Sequence, residues 1–393
     1  MLIKDQKLKE IFLNCYKGDI SDQQIHDSFV EKLHTNYNKL DIFHVQFSGV
    51  HLILDKITNK DIVIIFEDQP EFFDHVINEL QKLFKHNTNK NFYFIVDIDG
   101  WKQLADWPAN VFFMNYSPIM ASGNGISNYK NIPNLVNKNF ESCKIGISLN
   151  RLPRPHRLCF ISYMLGKGYD EHCLITAPLL KWQLENNNTN LKDVLSWEGI
   201  DISNDFGIST LKGWERAKQG DGVYVDTDAY PPYNELTPSS KVFANSENYQ
   251  NQLVHLYTNS FVEFVMETVF DINLHIVTEK YLHSQLGCNF PIILAGYRSV
   301  EYMRSLDLDM FDDIVNHNYD KEINPRLRME RAVQDNAKLF LNTENTKKLW
   351  QKNYKRFEYN VQKYIEMNFT ASNTALQRFD SIFQQNYKNP LLF

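Results

Sequence analysis

The chain has 393 residues, of which 43% are hydrophobic and 23% charged, and a formal net charge of −7; this is the composition of an ordinary globular protein and excludes a disordered or fibrous one. The length exceeds what a single hydrophobic core commonly organises, which predicts two domains. The negative balance argues against a large sequence-independent phosphate-binding surface, while a local basic groove stays compatible with it. No apolar run approaches the roughly 18 residues of a membrane span, and the opening MLIKDQKLKEIFLNCYKG threads charges through its apolar residues, unlike a signal peptide. Cys15, Cys143, Cys159, Cys173 and Cys288 are odd in number and widely spaced, with no C-x-x-C pair, as expected of reduced thiols. The expectation is a soluble, cytoplasmic protein.

Apolar residues alternate loosely over 42–54, and DIVIIF at 61–66 reads as a buried strand. Residues 72–84 carry Phe73, Val76, Ile77, Leu80 and Leu83 at helical spacing. Further strands are predicted over 92–98 and 111–114. Strand alternating with helix means a parallel sheet, so residues 1–140 form one α/β domain. Carboxylates close two of these strands, Glu67 with Asp68 and Asp97 with Asp99. Such positions put a side chain at the ligand end of a sheet, where Glu67, Asp97 or Asp99 could act as general base, or could simply cap and turn the chain.

The polar, Asn-rich segment 127–142 suits an interdomain linker. A fresh strand over 144–149 runs into NRLPRPHRLCFISYMLGKG, where the prolines precede a helix over 156–165. Arg151, Arg154 and Arg157 crowd that strand-to-helix junction, and guanidinium forks at a helix start match phosphate oxygens; a basic surface turn is the alternative. Residues 171–257 are turn-rich with short helical pieces, and Tyr224, Tyr230 and Tyr233 in them could stack on a sugar or a base or pack on themselves.

The stretch 259–296, NSFVEFVMETVFDINLHIVTEKYLHSQLGCNFPIILAG, reads as strand, helix, strand. The first strand ends on Glu267 and Thr268. Thr278 is the expected N-cap of a helix that Gly287 stops, with Glu279 and Lys280 in its first turn. In an open α/β sheet ligands bind beyond the carboxyl ends of the strands, and a helix start there offers free N–H groups, which Lys280 supplements with a full charge. Such a set suits a ribose hydroxyl beside a pyrophosphate. Beyond it, Ser299 is the expected cap of a helix through 306, another helix starts near 326, and residues 331–386 form a helical tail with Lys interleaved among aromatic residues.

NSFVEFVMETVFD with HIVTEKYLHSQLGCNFPIILAGYRSVEYM resembles the donor-binding region of inverting fucosyltransferases and of glycosyltransferase-like proteins of tailed bacteriophages, and the phage-type likeness continues through LDLDMFDDIVNHNYDKEINPRLRMERAV. The resemblance spans residues 141–335, about half the chain. It implies two Rossmann-like domains facing across a cleft, with 1–140 on the acceptor side, 141–335 binding the donor, and a helical tail, 336–393, packing back on the first domain. It implies a metal-independent, inverting transfer of a sugar from a nucleotide-diphosphate sugar, with no bound cofactor. Glu279 would hold the ribose and Lys280 the pyrophosphate, with Arg157 the best match to a pyrophosphate-contacting Arg. The family's base follows a strand in a Gly-Glu-Asn context, and FEDQPEFFD offers Glu67 there without the Gly or the Asn.

Other readings stand beside this one. Asp97 and Asp99, Asp226 and Asp228, and Asp307 and Asp309 are Asp-x-Asp pairs of the kind that holds a divalent metal in another glycosyltransferase class. A non-catalytic nucleotide- or sugar-binding module, or a phage structural protein, could keep the same fold. The resemblance implies an acceptor that is either a glycan or a hydroxymethylated base of phage DNA.

Overall fold

A computed structural model describes residues 41–45, 62–67, 73–96, 106–115, 136–150, 154–177, 180, 203–223, 254–267, 270 and 278–387. It is a mixed α/β structure with two parallel sheets. Strands β1 (Asp41–Val45), β2 (Ile62–Glu67), β3 (Asn91–Val96) and β4 (Val111–Asn115) lie side by side in chain order. Helix α1 (Phe73–His86) connects β2 to β3, as a parallel pair requires. Its Leu80, Leu83 and Phe84 are buried, and Phe84 packs on Phe92 of β3 at 4.7 Å between ring centroids.

The second sheet comprises β5 (Gly146–Leu149), β6 (Cys173–Thr176), β7 (Val262–Met266) and β8 (Phe290–Leu294), in the order β6-β5-β7-β8. Helix α2 (Pro155–Gly166) links β5 to β6, and α5 (Glu279–Leu286) links β7 to β8; α3 (Asp205–Lys218) and α4 (Val254–Asn259) lie between β6 and β7 in the chain. Strands β5 and β7 are neighbours although the chain leaves them in opposite directions, so the sheet has a topological switch point.

Helices α2 and α3 meet backbone to backbone. A Cβ on Gly166 would lie 1.8 Å from the Ser209 carbonyl oxygen, and one on Gly213 would lie 1.7 Å from that of Ser162. Gly213 permits the approach without ending α3, and Gly166 is the last residue of α2; the Gly-containing stretch expected to be turn-rich with short helical pieces is a fourteen-residue helix.

Two expected helix ends are built differently. Gly287 closes α5 at φ −71°, and the left-handed residue is Cys288, φ 53°, in a Schellman arrangement in which Cys288 N donates to Gln285 O and Asn289 N to Ser284 O. Glycine is needed at 287 because a Cβ there would lie 2.2 Å from the Tyr257 ring. Helix α6 (Ser299–Ser305) is capped from outside: the Asp320 carboxylate accepts from Val300 N at 3.1 Å and Glu301 N at 3.0 Å, while Ser299 Oγ makes no hydrogen bond.

Residues 136–142, expected in a linker, are tied to the second sheet's unit. Lys138 Nζ donates to Tyr257 O at 2.8 Å and Asn289 Oδ1 at 2.7 Å and also meets Ser260 O and Gly287 O. Asn139 N donates to Thr258 O at 2.8 Å and Ser142 Oγ to Asn259 O at 2.7 Å. Helices α7 (Pro325–Asp335), α8 (Ala337–Leu341) and α9 (Thr343–Tyr387) complete the chain, and α9 packs along α5 and reaches β4. Among the described residues no helix is long and apolar enough to cross a membrane.

The outer side of β8 is held by a relay. Ile293 N donates to Tyr319 Oη at 2.9 Å; His317 Nδ1 lies 3.1 Å from that oxygen and Nε2 2.8 Å from Met310 O. A neutral imidazole accepting at Nδ1 and donating at Nε2 satisfies every member. Burial lowers the His317 pKa to about 4. Between pH 6.5 and 4 the unfolded chain therefore takes up a proton that the folded one refuses, and stability is lost as pH falls through that window, by on the order of 1.4 kcal/mol per unit. Urea midpoints measured from pH 7 to 4.5 should fall, and His317→Gln should flatten the fall; a level profile in the native sequence would contradict the relay.

Candidate functional site

The candidate site lies at the carboxyl end of β7. All five residues of the strand are buried, and it delivers Glu267, itself wholly buried, with Glu267 N bound to Leu294 O at 3.0 Å. The Glu267 carboxylate accepts from Thr278 N at 3.1 Å and from Thr278 Oγ1 at 2.7 Å. Thr278 is the N-cap of α5, as its position in the sequence predicts: its hydroxyl accepts from Lys280 N at 3.3 Å and from Lys280 Nζ at 3.2 Å. Lys280 Nζ stands 4.0 Å from Glu267 Oε2, and its side chain is 25% exposed against 0% for Glu267. A buried carboxylate, a hydroxyl and a solvent-reaching ammonium thus follow one another into the first turn of a helix.

Arg157 enters the same place from α2. It is buried, and its Nη2 donates to Met266 O at 3.0 Å and Glu267 O at 3.3 Å. Its neighbour His156 places Nε2 3.3 Å from Glu267 O and stacks on Phe270 at 5.7 Å. Burial, with the adjacent Arg157 charge, lowers the His156 pKa well below the ordinary imidazole range, so the ring is neutral. Arg328 of α7, also buried, donates to Ala295 O at 3.1 Å, Glu322 O at 2.7 Å and Phe270 O, and lies over the Phe270 ring at 4.7 Å. The set can receive an anion at Lys280 and the α5 start, on a support whose buried groups are held by main-chain oxygens.

Of the residues singled out in the sequence, Arg157, Glu267, Thr278 and Lys280 come together here, and Glu279 opens α5. Arg157 does so as a buried tie to backbone carbonyls. Arg154 precedes α2 at its N-cap position, half-exposed, with no side-chain cap hydrogen bond. Glu67 closes β2. Asp97, Asp99, Arg151, Thr268, the three tyrosines of 224–233, and Asp226 with Asp228 lie outside the described residues. The remaining Asp-x-Asp pair is engaged by α9: Asp307 binds Lys363 at 2.9 Å, and both oxygens of Asp309 bind Arg356. His156 and Arg328 escaped the sequence reading, since neither spacing nor residue type ties them to β7.

No protein-family model, no curated protein and no solved structure matches the chain.

Removing the Thr278 hydroxyl strips one donor from a buried carboxylate. Thr278→Val should lower the unfolding free energy by about 1–3 kcal/mol in urea titrations, whereas Thr278→Ser should restore most of it; equal losses in both variants would show that the hydroxyl is not what matters.

Proposed function

We propose that the chain is a nucleotide-sugar-dependent glycosyltransferase whose two parallel-sheet units are Rossmann-like domains facing across a cleft, the second of them binding the donor. The observation that carries this reading is Lys280, a partly exposed ammonium in the first turn of α5, fixed beside Glu267 and Thr278 at the carboxyl end of β7. The sequence likeness of 141–335 to inverting fucosyltransferases and phage glycosyltransferase-like proteins supports it, and so does the switch point of the β6-β5-β7-β8 sheet.

In this reading the diphosphate sits at the α5 start, with Glu279 beside the ribose. As the sugar leaves it, charge grows on the diphosphate, and Lys280 together with the positive end of the α5 dipole would receive that charge. The acceptor is a hydroxyl, of a glycan or of a hydroxymethylated DNA base. A carboxylate of the first unit, for which Glu67 at the end of β2 and Asp97 and Asp99 after β3 are the candidates, takes its proton while the anomeric carbon inverts. Binding without transfer, as in a non-catalytic module, is favoured by one observation: Glu267 and Arg157 are both turned inward onto the protein's own groups.

A thermal-shift screen of nucleotide sugars followed by a donor-hydrolysis assay separates these readings, since stabilisation without hydrolysis or transfer selects the binding module. Lys280→Ala should lower turnover at saturating donor by at least about tenfold, the worth of one charge-assisted hydrogen bond strengthened in the transition state. Unchanged turnover would remove the site assignment. With hydroxymethylated duplex as acceptor, activity should drop steeply between about 50 and 200 mM salt through counterion release; salt-insensitive transfer would point to a glycan.

A further inference from the structure

The outer ladders of the second sheet run further than the central one. Strand β5 pairs with β6 as far as Leu149 with Thr176, and β7 with β8 as far as Met266 with Leu294. Between β5 and β7 the pairing stops at Ile147 with Glu263. The two strands therefore part at their carboxyl ends, and Asn150, three residues beyond the last pair on one side, stands level with Met266 on the other. That opening adjoins the β7 end that holds Glu267.

Asn150 is wholly buried where β5 ends. Its backbone N donates to Thr176 O at 3.1 Å, and its Nδ2 donates to Ser148 Oγ at 2.9 Å and Ser148 O at 3.3 Å. These bonds fix which end of the amide is which, because only the nitrogen can donate to the Ser148 carbonyl. The other end, Oδ1, is buried with no hydrogen-bond partner among the described residues. A buried acceptor left unmade is costly, and this one, unlike others in the fold, lies at the carboxyl end of a strand beside the sheet's switch point, where a ligand could supply its donor.

The chemistry of that donor is restricted. A phosphate oxygen brings only lone pairs and would be repelled by Oδ1; the partner must carry O–H or N–H. We propose that Asn150 Oδ1 is a ligand-binding atom at the switch point that accepts a hydroxyl or N–H of the nucleoside half of the donor, while Lys280 and the α5 start take the diphosphate. The assignment rests on the nucleotide-sugar reading above. It divides the ligand between two lips of one crevice, the uncharged, hydrogen-bond-donating part against β5 and the anionic part at the β7–α5 junction.

Calorimetric titration of the full chain with UDP, GDP and inorganic pyrophosphate tests it. In the native sequence at least one nucleotide binds. Asn150→Ala should weaken that nucleotide about tenfold and leave pyrophosphate unchanged, whereas Lys280→Ala should weaken both. If Asn150→Ala does not fold, Asn150→Leu, closer in volume and lacking the amide, carries the same comparison. The 2′-deoxy form of the bound nucleotide identifies the partner: loss of the Asn150→Ala effect names the 2′-hydroxyl, and its persistence names another hydroxyl or the base. Equal affinity in native and Asn150→Ala protein, or an equal loss for pyrophosphate, overturns the assignment and leaves the nucleotide reading standing. Absence of nucleotide binding in the native sequence overturns both.

Discussion

The separation of β5 from β7 is the constraint on which the site depends. A strand whose neighbour departs keeps carbonyls that must find other donors, because a buried main-chain oxygen without one is costly. Met266 O and Glu267 O find them in Arg157 Nη2, with His156 Nε2 beside the second. This exchange pins the start of α2 to the end of β7. It also holds the main chain at Glu267, so that the carboxylate meets Thr278 and sets where α5 begins. The geometry at Lys280 is thus inherited, through Thr278 and Glu267, from a break in the sheet.

Two buried guanidiniums serve this arrangement in the same way. Arg157 and Arg328 both donate to main-chain carbonyls, Arg328 joining the end of β8 to Phe270 and to residues 322–323. A guanidinium offers several donors in a rigid plane, so one side chain can meet carbonyls from more than one chain segment, which suits a junction where several segments end together. The partly exposed Lys280, with its compact and mobile ammonium, fits the complementary task of meeting an anion from solvent.

The parts of the fold legible in the sequence are those decided locally. The apolar runs of β2, β3, β7 and β8 announce strands of parallel sheets, and Thr278 announces its cap because capping needs only a hydroxyl two residues before an N–H. What could not be read depends on distant partners. Gly213 of α3 looks like a break until α2 is known to press on it, and Gly287, which does end α5, is also required by the Tyr257 ring. Strand β6, four residues long, carries too few positions for a period to show. Pattern singles out Arg157 at the β5–α2 junction, yet it does not tell that the side chain turns to Met266, a residue 109 positions away. For the same reason Asn150 was invisible, since an asparagine after a strand is ordinarily a turn former and only the neighbouring Ser148 and Thr176 fix its amide.

If the chain is the glycosyltransferase proposed above, the charge on α9 bears on which acceptor it would take. Read in sequence, its lysines and arginines look like a continuous basic face. In the structure Arg356 is held by Asp309 and Asp313, Lys363 by Asp307 and Lys347 by Glu344, so much of the helix's charge is neutralised at short range. Lys348, Lys352 and Lys355 remain exposed, and their spacing puts them on one face. Such a stripe alone would neutralise about three phosphates, well short of the six to ten contacts typical of tight duplex binders. On the proposed reading, a DNA acceptor would therefore have to draw further positive charge from residues outside α9, such as Arg154 ahead of α2 and Lys280 in α5, whereas a neutral glycan makes no such demand.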